Sequence, residues 1–141
     1  GFVEQAKPTA LGKFANNYTT RKEKAQYDRF LRITQDDWVE LEKQGFENMY
    51  SYDSTTKVQA ETPALVSFTT ACYSYMGGAH GIGITRTYNF GFLKGKPSQL
   101  TLMDFAGTKA NRDKVLARLF NRIRKTKGTD WVEEGMVKGV N

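Results

Sequence analysis

The chain is 141 residues long, with 39% hydrophobic and 13% aromatic residues and a formal net charge of +6. That is room for one ordinary domain with a modest core, and the aromatic share excludes a disordered chain, because aromatic area is what offsets chain entropy. The single cysteine, Cys72, excludes an internal disulfide, and no run approaches the ~20 apolar residues that a membrane span needs.

Residues 1–17 are weakly patterned. Pro8, Gly12, Asn16 and Asn17 interrupt any regular element, and the segment reads as an N-terminal arm. The chain begins at Gly1 rather than Met, which a removed signal or lipid anchor would fit as well as a trimmed chain. Residues 18–47 read as helical. Tyr27, Phe30, Leu31, Thr34, Trp38 and Leu41 recur at spacings of three and four and mark the core face. Arg21, Lys22, Glu23, Lys24, Asp36, Asp37 and Glu40 are among the charges of the solvated face. Thr34 followed by Asp37 could cap a second helix, so one helix or two stays open; Gly45 is the expected stop.

Residues 48–61, with Tyr50, Tyr52, Thr55, Thr56 and Val58, have strand composition, and Pro63 ends them. Residues 64–76 are the clearest strand: Val66, Phe68, Thr70 and Cys72 face one way, Ser67, Thr69, Ala71, Tyr73 and Tyr75 the other. Both faces are partly apolar, which places this strand inside the sheet, and Cys72 reads as a buried, inert thiol. Gly77-Gly78-Ala79-His80-Gly81 connects it to a further strand over 82–92, in which Ile82, Ile84, Tyr88 and Phe90 alternate with smaller residues; together they predict a hairpin. Lys94-Gly95-Lys96-Pro97 is the next turn, and Leu100, Leu102 and Phe105 form a short apolar docking segment. Leu116, Leu119, Phe120 and Ile123 define an amphipathic helix over 109–126 with Thr108 as N-cap. Residues 128–141 are a tail, either a docked strand or a frayed end. Sequential strands with no intervening helix predict an antiparallel meander with helices packed on one face, an α+β fold; a βαβ arrangement fits less well.

No residue set reads as catalytic. His80 is the only histidine and has no nucleophile elbow or orienting acid in reach by sequence, and one His with one Cys falls short of the ~four ligands of a structural zinc. No metal and no cofactor are therefore expected. The glycine run enters a strand rather than a helix and lacks a following Gly-Lys-Ser/Thr, so it reads as a turn needing positive φ and not as a phosphate cradle. The eight basic residues of 109–127, against Asp113 alone, exceed the charge of the whole chain, and Lys114, Arg118 and Arg122 form one stripe. A stripe of that kind suits an anion such as a wall polymer or lipid head group; nucleic acid fits poorly, since no base-stacking aromatics interleave with the charges. Tyr73, Tyr75 and Tyr88 flank the loop either as a partner-binding patch or as cross-strand packing pairs.

The run Cys72-Tyr73-Ser74-Tyr75-Met76-Gly77-Gly78-Ala79-His80-Gly81 resembles the "YSYTGGAHG" segment of the RsiV-like domain, found at the end of RsiV-type anti-sigma factors and before the catalytic part of PdaC-type peptidoglycan deacetylases. Thr87-Tyr88-Asn89-Phe90, Gly95-Lys96 and Leu100-Thr101-Leu102-Met103-Asp104-Phe105 follow in the family's order, and the likeness extends over roughly 20–127. It implies a non-catalytic, extracytoplasmic domain of the bacterial cell envelope, in the periplasm, on the cell surface or in a lipoprotein. Its implied role is binding or sensing, as a receptor for a lysozyme-like protein or as an accessory domain contacting peptidoglycan or an anionic wall polymer. The residues marked for such contacts are Tyr73, Tyr75, Gly77, Gly78, His80, Gly81, Arg118 and Arg122. The family normally continues with further strands, so the domain spanning 18–127 is expected to be incomplete at its C-terminal end, with an open sheet edge that could pair with another chain.

Overall fold

The computed structural model describes residues 1–47 and 50–127. The element order is β1 (Phe2–Val3), α1 (Ala10–Lys43), β2 (Ser51–Glu61), β3 (Val66–Tyr75), β4 (Ile82–Leu93), β5 (Lys96–Leu100), α2 (Leu102–Ala106) and α3 (Lys109–Lys127). The strands form one sheet in the order β1-β2-β3-β4-β5. The chain divides into two compact units, Gly1–Gln99 and the segment from Leu100 onward. The tail read at 128–141, and residues 48 and 49 at the start of the first expected strand, lie outside the described residues.

The predicted α+β class and meander hold. β2 pairs antiparallel with β3, and β3 with β4, so β3 lies in the sheet's interior. Lys94 and Gly95 both take positive φ, 51° and 76°, the geometry of a two-residue hairpin turn. That turn returns the chain as β5, which takes in Lys96 and Pro97, read by sequence as part of the turn, and Leu100 of the expected docking segment; Pro97 falls at the sheet's edge, where a missing N–H is tolerated. At the other edge β1 pairs parallel with β2, Phe2 opposite Thr55 and Val3 opposite Thr56. β1, α1 and β2 are thus a βαβ unit, which the sequence disfavoured because no helix stands between its readable strands; β1, two residues long, carries no readable period.

Residues 1–17 are not a loose arm. Thr9 caps α1 by accepting a hydrogen bond from the Gly12 N–H at 3.0 Å, and the helix runs unbroken from Ala10. Asn16, which looked like a helix breaker, has its side-chain amide paired with the backbone of Ala6 in both directions, at 2.8 and 3.0 Å. An amide can replace a peptide partner in this way, and it ties the incoming chain to the helix. Gly12 sits so near the Lys7 carbonyl that any Cβ would collide with it. At the other end Gly45 (φ 81°) stops the helix as expected: Phe46 N–H donates to Leu41 O and Gly45 N–H to Glu42 O, both at 3.0 Å. Thr34 caps nothing; its hydroxyl donates back to Phe30 O at 2.9 Å inside one continuous helix.

The core lies under the first half of α1. Leu11, Ala15, Val66, Phe68 and Phe90 are almost fully buried, with Tyr88 and Ala6 beside them and Phe14, Tyr18 and Val58 packed on their margin. Phe90 is the hub, with its ring 5.3 Å from Tyr18, 6.0 Å from Phe14 and 6.1 Å from Phe68, each edge to face. The periodicity placed the core face at Tyr27–Leu41, but Tyr27, Leu31 and Trp38 are exposed. The reason is the register of helix on sheet. The strands present Phe68, Tyr88 and Phe90 opposite residues 11–19, so the apolar residues further along α1 find less to cover. Glu23, assigned by sequence to the solvated face, is only 7% exposed.

In the second unit, the expected docking segment is the short helix α2, with a capping box between Thr101 and Asp104, and Thr108 accepts from Asn111 N–H as the expected cap of α3. Among the described residues, no helix is long and apolar enough to cross a membrane. Phe90→Ala is expected to destabilise the protein by about 3–5 kcal/mol, since it empties the centre of the core. Phe92→Ala, at an exposed position two residues on, should stay within about 0.5 kcal/mol. Urea denaturation of the two variants checks the difference.

Candidate functional site

The hairpin end formed by β3, the glycine loop and β4 carries six of the eight residues singled out by sequence. Tyr73 and Tyr75 are on the face of β3 turned away from α1, because Val66, Phe68, Thr70 and Cys72 occupy the covered face. Tyr75 Oη donates to the Gly78 carbonyl at 2.7 Å and so closes the loop on itself. Gly77 and Gly78 hold φ of 86° and 92°, as the turn reading required, and the Tyr50 ring lies 3.6 Å from where a Cβ on Gly77 would stand. Gly81 is needed for a different reason: an added Cβ would strike the Tyr73 ring and the Ser74 carbonyl. His80 is exposed, and Nδ1 lies 3.3 Å from the carbonyl of its neighbour Gly81. The loop is thus an ordered, solvent-facing platform with one imidazole and one half-exposed phenol, Tyr73.

Tyr88, grouped with these tyrosines by sequence, is inside instead. Its hydroxyl donates to Glu23 Oε1 at 3.1 Å, and Ser54 Oγ donates to Glu23 Oε2 at 2.9 Å. Burial first, and then the charge and hydrogen bond of Glu23, push the Tyr88 hydroxyl up to about 12 from its ordinary 10.0. Tyr52 lies beside the Cys72 thiol, and its hydroxyl is also pushed up, chiefly by burial and then by Cys72. Thr56 and Thr70 complete this polar seam with a hydroxyl pair at 2.6 Å. The seam was not found by sequence, although a signal existed: Arg86 shares the strand face of Ile84, Tyr88 and Phe90, and Glu23 lies four residues beyond Thr19 on the buried helix face.

Arg118 and Arg122 belong to the second unit. They are exposed, four residues apart on α3, and neither forms an ion pair among the described residues, whereas Asp113 is held by both Lys109 and Arg112 at 2.7 Å. No group of three or more His, Cys, Asp or Glu side chains that could hold a metal occurs among the described residues.

An α1-covered meander ending in the Tyr73–Gly81 loop defines a class that comparison with known families identifies. The family model described as Deacetylase PdaC matches residues 3–83, more than half of the chain, and the chain belongs to that family. Domains of this type belong to secreted or envelope proteins. Among solved structures, a DUF3298 family protein from Pseudomonas aeruginosa PAO1 is 21% identical over 62% of this chain, with a TM-score of 0.42. This chain spans 41% of that chain's length. No curated protein matches.

The loop and the seam can each be tested by substitution. Gly78→Ala should cost about 1 kcal/mol through its positive φ alone. Gly81→Ala should in addition shift the Tyr73 ring resonances, while Gly83→Ala, with open space around it, should do neither; thermal melts with NMR of the tyrosine rings separate the three. Tyr88 stays protonated in the folded state where the unfolded chain ionises. Its contribution to stability is therefore complete below pH 10.0 and falls as pH rises through about 12. Denaturation at stepped pH should show a shallower alkaline loss in Tyr88→Phe.

Proposed function

We propose that this chain is a non-catalytic binding or sensing module that works outside the cytoplasm, at the cell envelope, and presents the Tyr73–Gly81 loop to its ligand. The observation that carries this reading is the construction of the loop. Four interactions or constraints — the Tyr75 bond to Gly78, two positive-φ glycines and the close fit of Gly81 on Tyr73 — shape a segment that buries nothing for the core. Order without burial at a hairpin tip favours recognition over packing, because ordering a surface loop in advance lowers the entropy cost of binding. The family membership supports the envelope setting. A lysozyme-like protein is the ligand that the resemblance suggests, although a net charge of +6 puts like charges on the two partners and slows their encounter.

A second reading is supported by the exposed stripe of Arg118 and Arg122, free of ion pairs among the described residues: contact with an anionic wall polymer, as an accessory domain of a peptidoglycan-modifying enzyme. The two separate in one experiment. Capture of lysozyme or peptidoglycan fragments by the immobilised chain, measured at low and moderate salt, should be lost on Tyr73→Ala or His80→Ala if the loop is the site. Loss only on Arg118→Glu with Arg122→Glu, together with a steep salt dependence, moves the site to α3. Absence of capture in every case overturns both ligand assignments.

A further inference from the structure

On the sheet face covered by α1, at the foot of the glycine loop, lies a groove of about 270 Å3. α1 contributes Phe30 and Ile33, β4 contributes Ile82 and Ile84, and Met76 stands at the loop's start. The sheet register sets Ile82 opposite Ser74 and Ile84 opposite Cys72, so the floor continues the inner face of the core strands. Yet Ile33 and Ile82 remain 53% and 54% exposed, and Ile84 and Met76 are exposed as well. Four large apolar side chains gathered at one groove are more than scattered surface hydrophobics and mark an interaction site.

The groove also has a sign. Arg29 and Arg86 line it, and no carboxylate among the described residues does. Among the described residues, Arg86 Nη1 is buried with no hydrogen-bond partner, and Nη2 reaches Gln26 Oε1 at a long 3.5 Å. The carboxylate that influences the same tyrosines as Arg86, that of Glu23, accepts from Ser54 and Tyr88 instead. A guanidinium at the edge of an apolar groove, with only a long bond on Nη2, is complemented in charge by an incoming carboxylate. The volume lies near the lower end of the ~300–1,000 Å3 range of ligand pockets and suits one or two inserted side chains.

We propose that this groove is the anchor site for a protein partner, which inserts a large apolar side chain between α1 and β4 and sets an adjacent Asp or Glu on Arg86. The proposal rests on the reading of the hairpin end as the partner-facing end, and names the chemistry that the partner must bring there.

Random short peptides displayed on phage and panned against the full chain test it. Enriched peptides are expected to carry Leu, Ile, Phe or Met next to Asp or Glu. Their affinity should fall at least about tenfold on Ile82→Glu and on Arg86→Gln. Changing the peptide's acid to its amide should weaken binding to the native chain but not to Arg86→Gln. Ile82 is already exposed, so Ile82→Glu keeps the test open if Arg86→Gln fails to fold, as thermal melts will show. No enrichment, enrichment of basic peptides, or binding that survives Ile82→Glu overturns the proposal. Peptides that depend on Tyr73 but not on Ile82 or Arg86 overturn the groove and leave the loop reading standing; peptides indifferent to all three count against both. An Ile82→Cys thiol that alkylates no faster than the buried Cys72 would mean that the groove is already filled, by a second copy or by another part of this chain, and also overturns the proposal.

Discussion

One helix has to cover one face of the sheet, and the match of their lengths governs both the core and the hairpin end. At 1.5 Å per residue the 34 residues of α1 rise about 51 Å, whereas the ten residues of β3 span about 33 Å. The helix is thus longer than the strands it packs on. Its first half meets Phe68, Tyr88 and Phe90 and makes the core; residues near Phe30 and Ile33 meet the hairpin end only partly; Trp38 and Val39 remain exposed. Each Phe fully buried in the first region contributes roughly 1.5–3 kcal/mol, so stability is concentrated at one end of the sheet. The hairpin end is left free of that duty and can serve recognition.

Between the two regions runs the polar seam of Glu23, Ser54, Thr56, Thr70 and Tyr88. A buried carboxylate is costly unless hydrogen-bonded, and Glu23 has both oxygens satisfied by hydroxyls. Satisfied in this way, the seam fixes the register of helix on sheet: sliding α1 by a turn would leave the carboxylate in an apolar row. Arg86 stands at the end of the seam nearest the groove, its Nη1 without a hydrogen-bond partner among the described residues. The same alternation that buries Tyr88 and Phe90 therefore directs Arg86, Ile84 and Ile82 along one face toward the loop, and the core and the candidate recognition surface are consecutive parts of β4.

Much of this was determined by the sequence alone. The alternation through Val66, Phe68, Thr70 and Cys72 requires a strand with one buried face, whatever packs on it. Gly77 and Gly78 require a positive-φ turn, and Gly45 a helix stop, because those conformations are local. The spacing of Leu116, Leu119, Phe120 and Ile123 requires an amphipathic helix. The ordered series of short segments around Tyr73–Gly81 was enough to indicate the family that the family comparison bears out.

What the sequence left open depended on contacts between distant residues. β1 is two residues long and exists only because β2 offers it an edge; β5 contains a proline and is recognisable only once the Lys94-Gly95 turn lays it beside β4. Asn16 reads as a helix breaker until Ala6 supplies both partners for its amide. The apolar spacing of α1 shows a stripe but not which part of it the sheet will cover, since that depends on where the aromatic residues of β3 and β4 fall along the helix. For the same reason Glu23 looked like a surface charge, and the strand reading did not single out Arg86. Only the tertiary structure placed one against the sheet, satisfied by hydroxyls, and the other beside an apolar groove, with Gln26 at a long 3.5 Å from its guanidinium.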